Sequence, residues 1–211
     1  MADSLARLLD DIRACRCCVD APRGAPLPHA PRPVLRASSS ARLAICSQAP
    51  GTRVHASGVP FSDASGDRLR EWMGVSAEEF YDMSRVAIVP MGFCFPGLDA
   101  SGADLPPRRE CAPLWRARVL AELRRVELIL LIGGHAQRWH LGALAKASVT
   151  ATVTDWRDHA GSGRHPRHLP LPHPSWRNNA WIKANPWFES ELLPALRAEV
   201  RRVLDGAGRR K

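Results

Sequence analysis

Apolar residues along the chain fall into two kinds of stretch. In the first they recur three and four apart, as in Leu5, Leu8, Leu9 and Ile12. That period predicts helices over 4–14, 65–73, 108–125, 135–144 and 189–204, the second opening after a serine able to cap it. In the second kind the apolar residues form short unbroken runs, over 42–46, 86–91, 126–132 and 169–171. These runs are too short for helices and end in Gly, Pro or Ser, so they predict buried strands. Strands alternating with helices imply a three-layer α/β/α sandwich around a short, mostly parallel sheet. Ligands of such sheets sit beyond the carboxyl ends of the strands. The turns at 47–51 and 173–179, after the first and last runs, are therefore the first places to look for chemistry. Residues 19–40 are rich in Pro, Arg and Ser without periodicity and predict a surface connection. The organisation expected is one domain over 1–205 and a flexible basic tail over 206–211, with no internal repeat.

Charge narrows the partner. The 211 residues carry a formal net charge of +9, and lysine occurs only at Lys146, Lys183 and Lys211, so arginine supplies almost all of the positive charge. Arginine's planar donor fork suits phosphate, and a basic balance of this size points to nucleic acid. Arg197, Arg201 and Arg202 lie on the solvated face of a predicted helix and carry less of that argument. The first residues have no basic segment followed by an apolar one, and no apolar run approaches the roughly 20 residues of a membrane span. A cytoplasmic location, nucleoid-associated in a bacterium, is expected. In reducing surroundings, clustered cysteine points to metal or catalysis more than to disulfides. Cys15 and Cys18 form a C-x2-C turn, and Cys94 and Cys111 form a distant pair, a set that suits four-thiolate ligation of [4Fe–4S] or zinc. Cys17 is an extra thiol, and Cys46 reads as a small core residue.

Three motif groups carry the chemistry. The first is Ser47-Gln48-Ala49-Pro50-Gly51, then His55, then Gly58-Val59-Pro60-Phe61-Ser62-Asp63 and Ser65-Gly66. The second is His173-Pro174-Ser175, stiffened by Pro172 and Pro174. The third is the cysteine set. In this order and spacing, over about 15–188, they resemble the uracil-DNA glycosylase superfamily, and within it the iron–sulfur (family four) branch. The resemblance implies a monofunctional repair enzyme that hydrolyses the N-glycosidic bond of uracil, or a related deaminated base, and leaves an abasic site. It implies a [4Fe–4S] cluster on Cys15, Cys18, Cys94 and Cys111, with zinc as the alternative. Such enzymes extrude the base into a pocket. Here Phe61 would stack on the base, Gln48 and Ala49 would border it, and His173 would donate to the carbonyl oxygen that gains charge as the bond breaks. The loop after the histidine would enter the minor groove, Arg177 contacting the vacated position and Ser175 and Asn178 the phosphates.

The departures from that pattern carry information too. Gln48 stands where family four has Glu, and Ala49 where the major uracil-DNA glycosylases have Asp, so the turn has no carboxylate. Water activation then falls to Asp63 or His55, with Asp63 preferred because a carboxylate also offsets a sugar cation. Pro90 replaces a base-reading asparagine, leaving backbone groups of Met91 and Gly92 as the expected readers and opening the site to deaminated purines. Trp176-Arg177 replaces the usual apolar wedge, which predicts a preference for single strands. The rival readings are a non-catalytic member that binds damaged or single-stranded DNA and a suicide enzyme that cross-links to the abasic sugar. The acidic, small Gly97-Leu98-Asp99-Ala100 stretch does not match the basic loop of the latter. A monomer is expected.

Overall fold

The structure is a computed structural model that describes residues 4–161, 163 and 165–206. The basic tail expected over 206–211 lies outside the described residues from position 207 onward. Four strands, β1 (Leu43–Cys46), β2 (Val86–Ile88), β3 (Leu128–Ile132) and β4 (Arg167–Leu171), form a sheet in the order β2-β1-β3-β4 with every pairing parallel. The helices in chain order are α1 (Ser4–Arg13), α2 (Cys17–Asp20), α3 (Thr52–Ser57), α4 (Ala64–Met73), α5 (Ala77–Tyr81), α6 (Ala117–Glu122), α7 (Gly133–Leu141), α8 (Val149–Thr154), α9 (Trp156–Gly161), α10 (Asn179–Ala184) and α11 (Leu193–Asp205).

The apolar runs are strands because the sheet is covered on both faces, which requires both sets of alternating side chains to be apolar. Leu43, Ile45, Val86, Ile88, Leu128, Leu130 and Ile132 face one layer, packing with Leu69, Trp72 and Met73 of α4 and Leu196, Val200 and Val203 of α11. Ala44, Cys46, Ala87, Ile129 and Leu131 face the other, packing with Leu5, Leu8 and Ile12 of α1, Trp115, and Val119 of α6. The three-layer expectation is met, and the sheet is wholly rather than mostly parallel.

Proline accounts for most of the shifted boundaries. The helix expected over 108–125 is a π turn (Ala112–Arg116) followed by α6, and the one expected over 189–204 is a π turn (Phe188–Leu192) followed by α11. Pro113 and Pro194 have no N–H to give the regular ladder, and the chain widens around them. The serine cap expected for α4 is instead Asp63, whose side chain accepts from Gly66 N at 3.1 Å. Helices α3, α5, α8, α9 and α10 are five or six residues long, too short to show a period. The 19–40 connection does more than run over the surface. Leu27, Val34 and Ala37 are buried, and Arg36 exchanges backbone hydrogen bonds of 2.9 and 2.7 Å with Ile88. It thereby covers the open edge of β2, which would otherwise offer unpaired backbone to another chain. None of the helices is long and apolar enough to cross a membrane, among the described residues.

Candidate active site

The turn after β1, the loop after β2 and the loop after β4 meet at the carboxyl end of the sheet. They enclose a cavity of about 450 Å³ whose lining includes Ala49, Phe61, Asp63, Asp104, His173 and Arg177. The volume is in the range of small-ligand sites.

One wall is Phe61, held in a costly conformation. Its φ of 56° is the only positive value at a non-glycine among the described residues. Backbone strain of this kind persists only where the surroundings enforce it. Here the Phe61 carbonyl accepts from the Tyr81 hydroxyl at 2.9 Å and from Arg70 Nη1 at 3.5 Å. Gly66 of α4 presses against the same carbonyl: a Cβ at position 66 would lie 1.8 Å from Phe61 O. The ring meets Phe80 edge-on at 6.0 Å.

His173 faces the same cavity from the loop after β4, beside Gly133, whose φ of 79° turns β3 into α7. Its Nδ1 receives the backbone N–H of Ser175 at 3.2 Å. A nitrogen that accepts carries no proton, so the neutral ring holds its proton on Nε2 and presents a donor there. Burial is the largest influence on this imidazole and lowers its pKa below the usual value, while the charge of Asp63 pulls the other way. The ring is therefore neutral near pH 7 with a fixed tautomer. Asn178 Nδ2 donates to the His173 carbonyl at 2.6 Å, Ser175 Oγ accepts from Arg177 N at 3.3 Å, and Arg68 Nη1 donates to the Ser175 carbonyl at 3.2 Å. The Asn178 and Ser175 side chains thus hold the loop in shape, a use distinct from the phosphate contacts expected of them. Trp176 is the most exposed large apolar side chain in the described residues, at 72%, and Arg177 Cζ lies 5.9 Å from its ring centre.

Other expected site residues fall elsewhere. His55 is off the cavity, in an aromatic group with His29 at 4.3 Å and Phe95 at 5.7 Å; burial, then His29 and Arg32, lower its pKa. Gln48 does not line the cavity; its carbonyl accepts from Gly92 N at 3.0 Å, and the Ser47 carbonyl accepts from Met91 N at 2.8 Å. The amides of Met91 and Gly92 are thereby spent on the neighbouring turn and are not free to read a base, and neither residue lines the cavity. Pro90 does line it, and a fully buried Arg116 holds this segment, donating to the carbonyls of Val89 at 2.8 Å and Pro90 at 2.7 Å. Asp104, which no sequence motif singled out, opens onto the cavity beside the expected residues.

Cys15, Cys17, Cys18, Cys94 and Cys111 share a second, apolar pocket with Phe93 and Trp115. Burial above all, then the charge of Glu110 at Cys18 and the neighbouring thiols, push Cys18 and Cys111 up to about 12 and Cys94 up to about 11. Phe93 N donates to Cys111 Sγ at 3.3 Å. No group of three or more His, Cys, Asp or Glu among the described residues is arranged to hold a metal ion. The pocket thus gathers the four cysteines of the expected thiolate set, with Cys17 and Glu110 beside them. Cys46 is buried in β1, where its sulfur accepts from Arg116 Nη2 at 3.2 Å, as suits a core residue.

A family model described as the uracil DNA glycosylase superfamily matches residues 36–197. The chain belongs to the uracil DNA glycosylase superfamily. The match includes the cavity-lining turns and the His173 loop, and it leaves out Cys15 and Cys18.

Proposed function

We propose that this protein is a monofunctional DNA glycosylase that hydrolyses the N-glycosidic bond of uracil, or of a related deaminated base, and leaves an abasic site. The observation that carries the reading is the pairing across one cavity of a clamped aromatic wall, Phe61, with a histidine whose free Nε2–H is fixed by the Ser175 amide. As the glycosidic bond breaks, its electron pair moves onto the base and collects at a carbonyl oxygen. A preorganised neutral donor aimed at that oxygen stabilises the charge as it develops, with little reorganisation. Phe61 holds the base flat. Among the described residues no lysine lines the cavity, which favours water over an amine as the nucleophile. The Trp176–Arg177 pair at the mouth supports a role for this loop in holding DNA open, with the tryptophan offering the stacking surface.

The cysteines support a [4Fe–4S] centre on Cys15, Cys18, Cys94 and Cys111, of the family-four kind. Its contribution would be structural, tying α2 to the 94–111 segment that borders the cavity. Anaerobic purification giving a brown protein with iron and sulfide supports this; a colourless, metal-free, folded protein defeats it.

The absence of a carboxylate at Gln48 and Ala49 favours a second reading, a DNA-binding member without turnover. One experiment separates the two. Single- and double-stranded oligonucleotides carrying uracil, hypoxanthine or xanthine are incubated with the protein, then treated with alkali. Strand breaks at the modified base are expected, most abundant for uracil. Binding without alkali-labile sites would sink the enzymatic reading, and an adduct that survives denaturation would point to the cross-linking branch.

A further inference from the structure

The 47–51 turn lacks a carboxylate of its own, but the structure lays one against it from another part of the chain. Asp104 lies in the loop after β2, and its Oδ2 would be 3.2 Å from a Cβ built on Gly51. It lines the same cavity as His173 and Phe61. We propose that Asp104 is the carboxylate of this active site, stabilising the sugar cation and taking the proton of the attacking water; the proposal rests on the glycosylase reading above.

Three observations support Asp104 over the alternatives. First, its loop is built to present it. Asp99 Oδ1 accepts from Ser101 N at 2.8 Å, Ser101 Oγ at 2.7 Å and Ala103 N at 3.0 Å, while Leu98 and Asp104 form an antiparallel bridge closed by Leu105 N to Gly97 O at 2.9 Å. Second, no described residue donates a hydrogen bond to its carboxylate, whereas Asp63 is engaged as the cap of α4. Third, its electrostatic surroundings suit a base. Partial burial raises its pKa above the usual carboxylate value, with Asp63 adding to the rise and Arg177 opposing it. A carboxylate that holds a proton more readily than a free one suits general base catalysis.

The C1′–N bond breaks and its electron pair leaves with the base, where the His173 Nε2–H meets the negative charge. The sugar becomes an oxocarbenium ion, facing the Asp104 carboxylate. Water adds its oxygen to C1′ and gives one proton to Asp104. The products are the abasic sugar and the base anion, which is protonated on release, and the Asp104 proton is returned to solvent.

The test separates this carboxylate role from turnover itself. Two single-stranded oligonucleotides are compared, one with a cationic pyrrolidine abasic-site mimic and one with a neutral tetrahydrofuran mimic. The wild type is expected to bind the cationic mimic about 10-fold or more tightly, a preference that tracks the facing negative charge. Asp104→Asn and Asp104→Ser are expected to lose that preference while binding the neutral mimic as before. Asp104→Glu is expected to recover part of it, and Glu189→Gln, which removes an exposed charge elsewhere, to keep it. Single-turnover uracil release by Asp104→Asn is expected to fall by about 100-fold or more. A preference retained in Asp104→Asn, or absent from the wild type, overturns the proposal. Wild-type protein that binds the mimics but never releases uracil overturns the glycosylase reading instead, leaving the charge assignment to stand or fall on the mimics.

Discussion

At the scale of single residues, the site depends on atoms whose state is set by immediate neighbours. The Ser175 amide decides which nitrogen of His173 carries the proton, and burial keeps the ring neutral. Fixing the tautomer before substrate arrives is what makes one imidazole an effective donor. Trp176 and Arg177 present the opposite case, side chains held by little and open to solvent. The sequence pointed to Arg177 as the group that meets the vacated base position. The structure places a larger apolar surface beside it, and stacking against a base is worth about 1–3 kcal/mol. Trp176→Ala is therefore expected to slow excision from duplex by about 10-fold or more, and from single strands by less. Excision rates on paired substrates measure this, and equal losses on both would remove the wedge role.

At the scale of elements, α4 does two jobs at once. Its first turn is capped by Asp63, and its Gly66 forms the close contact that holds Phe61 at a positive φ. Gly66→Ala sets a methyl group against backbone rather than a flexible side chain. It is expected to cost about 3 kcal/mol of stability and to abolish activity by displacing the aromatic wall. Urea unfolding with an activity assay checks this; an active variant of unchanged midpoint would mean that the clamp is unimportant. The same elements show what could be read from the chain alone. Strands buried on both faces leave unbroken apolar runs, and helices of ten or more residues leave a period, so β1, β3, α1 and α11 were legible. Phe61 and His173 were marked by the motifs that carry the family resemblance, and both line the cavity. The roles expected of His55, Met91 and Gly92 were read from nearness in sequence. In the fold His55 turns toward His29 and Phe95, and the two amides turn toward the 47–48 carbonyls. Asp104 left no mark because its part depends on contact with Gly51, more than fifty positions earlier, and no local pattern encodes such a contact.

At the scale of the molecule, arginines on the outer helices tie layers together as well as conferring charge. Arg201 of α11 donates to Glu79 of α5 at 2.7 and 2.9 Å, and Glu79 also closes a capping box with Ser76. The hydrogen bond from Arg201 is the largest cause holding the Glu79 carboxyl down at about 2 from its ordinary 4.5. A depressed carboxyl contributes stability above its unfolded value and loses it as pH falls, because below that value the unfolded chain binds the proton first. The wild type is therefore expected to lose urea resistance between about pH 5 and about pH 2.5 more steeply than Glu79→Gln does. Parallel slopes would show that the α5–α11 tie carries no weight. The basic surface left over suits a polyanion, and the sheet brings its carboxyl-end loops to one cavity where that polyanion's base would enter.

The proposed chemistry rests on His173 donating from Nε2 into a cavity walled by Phe61. The most direct measurement is uracil released in a single turnover from single-stranded uracil DNA, by wild type and by His173→Ala at saturating protein. Measurable release by the wild type is expected, with a fall of about 100- to 1,000-fold in the variant and DNA still bound. Release by His173→Ala at the wild-type rate would contradict it.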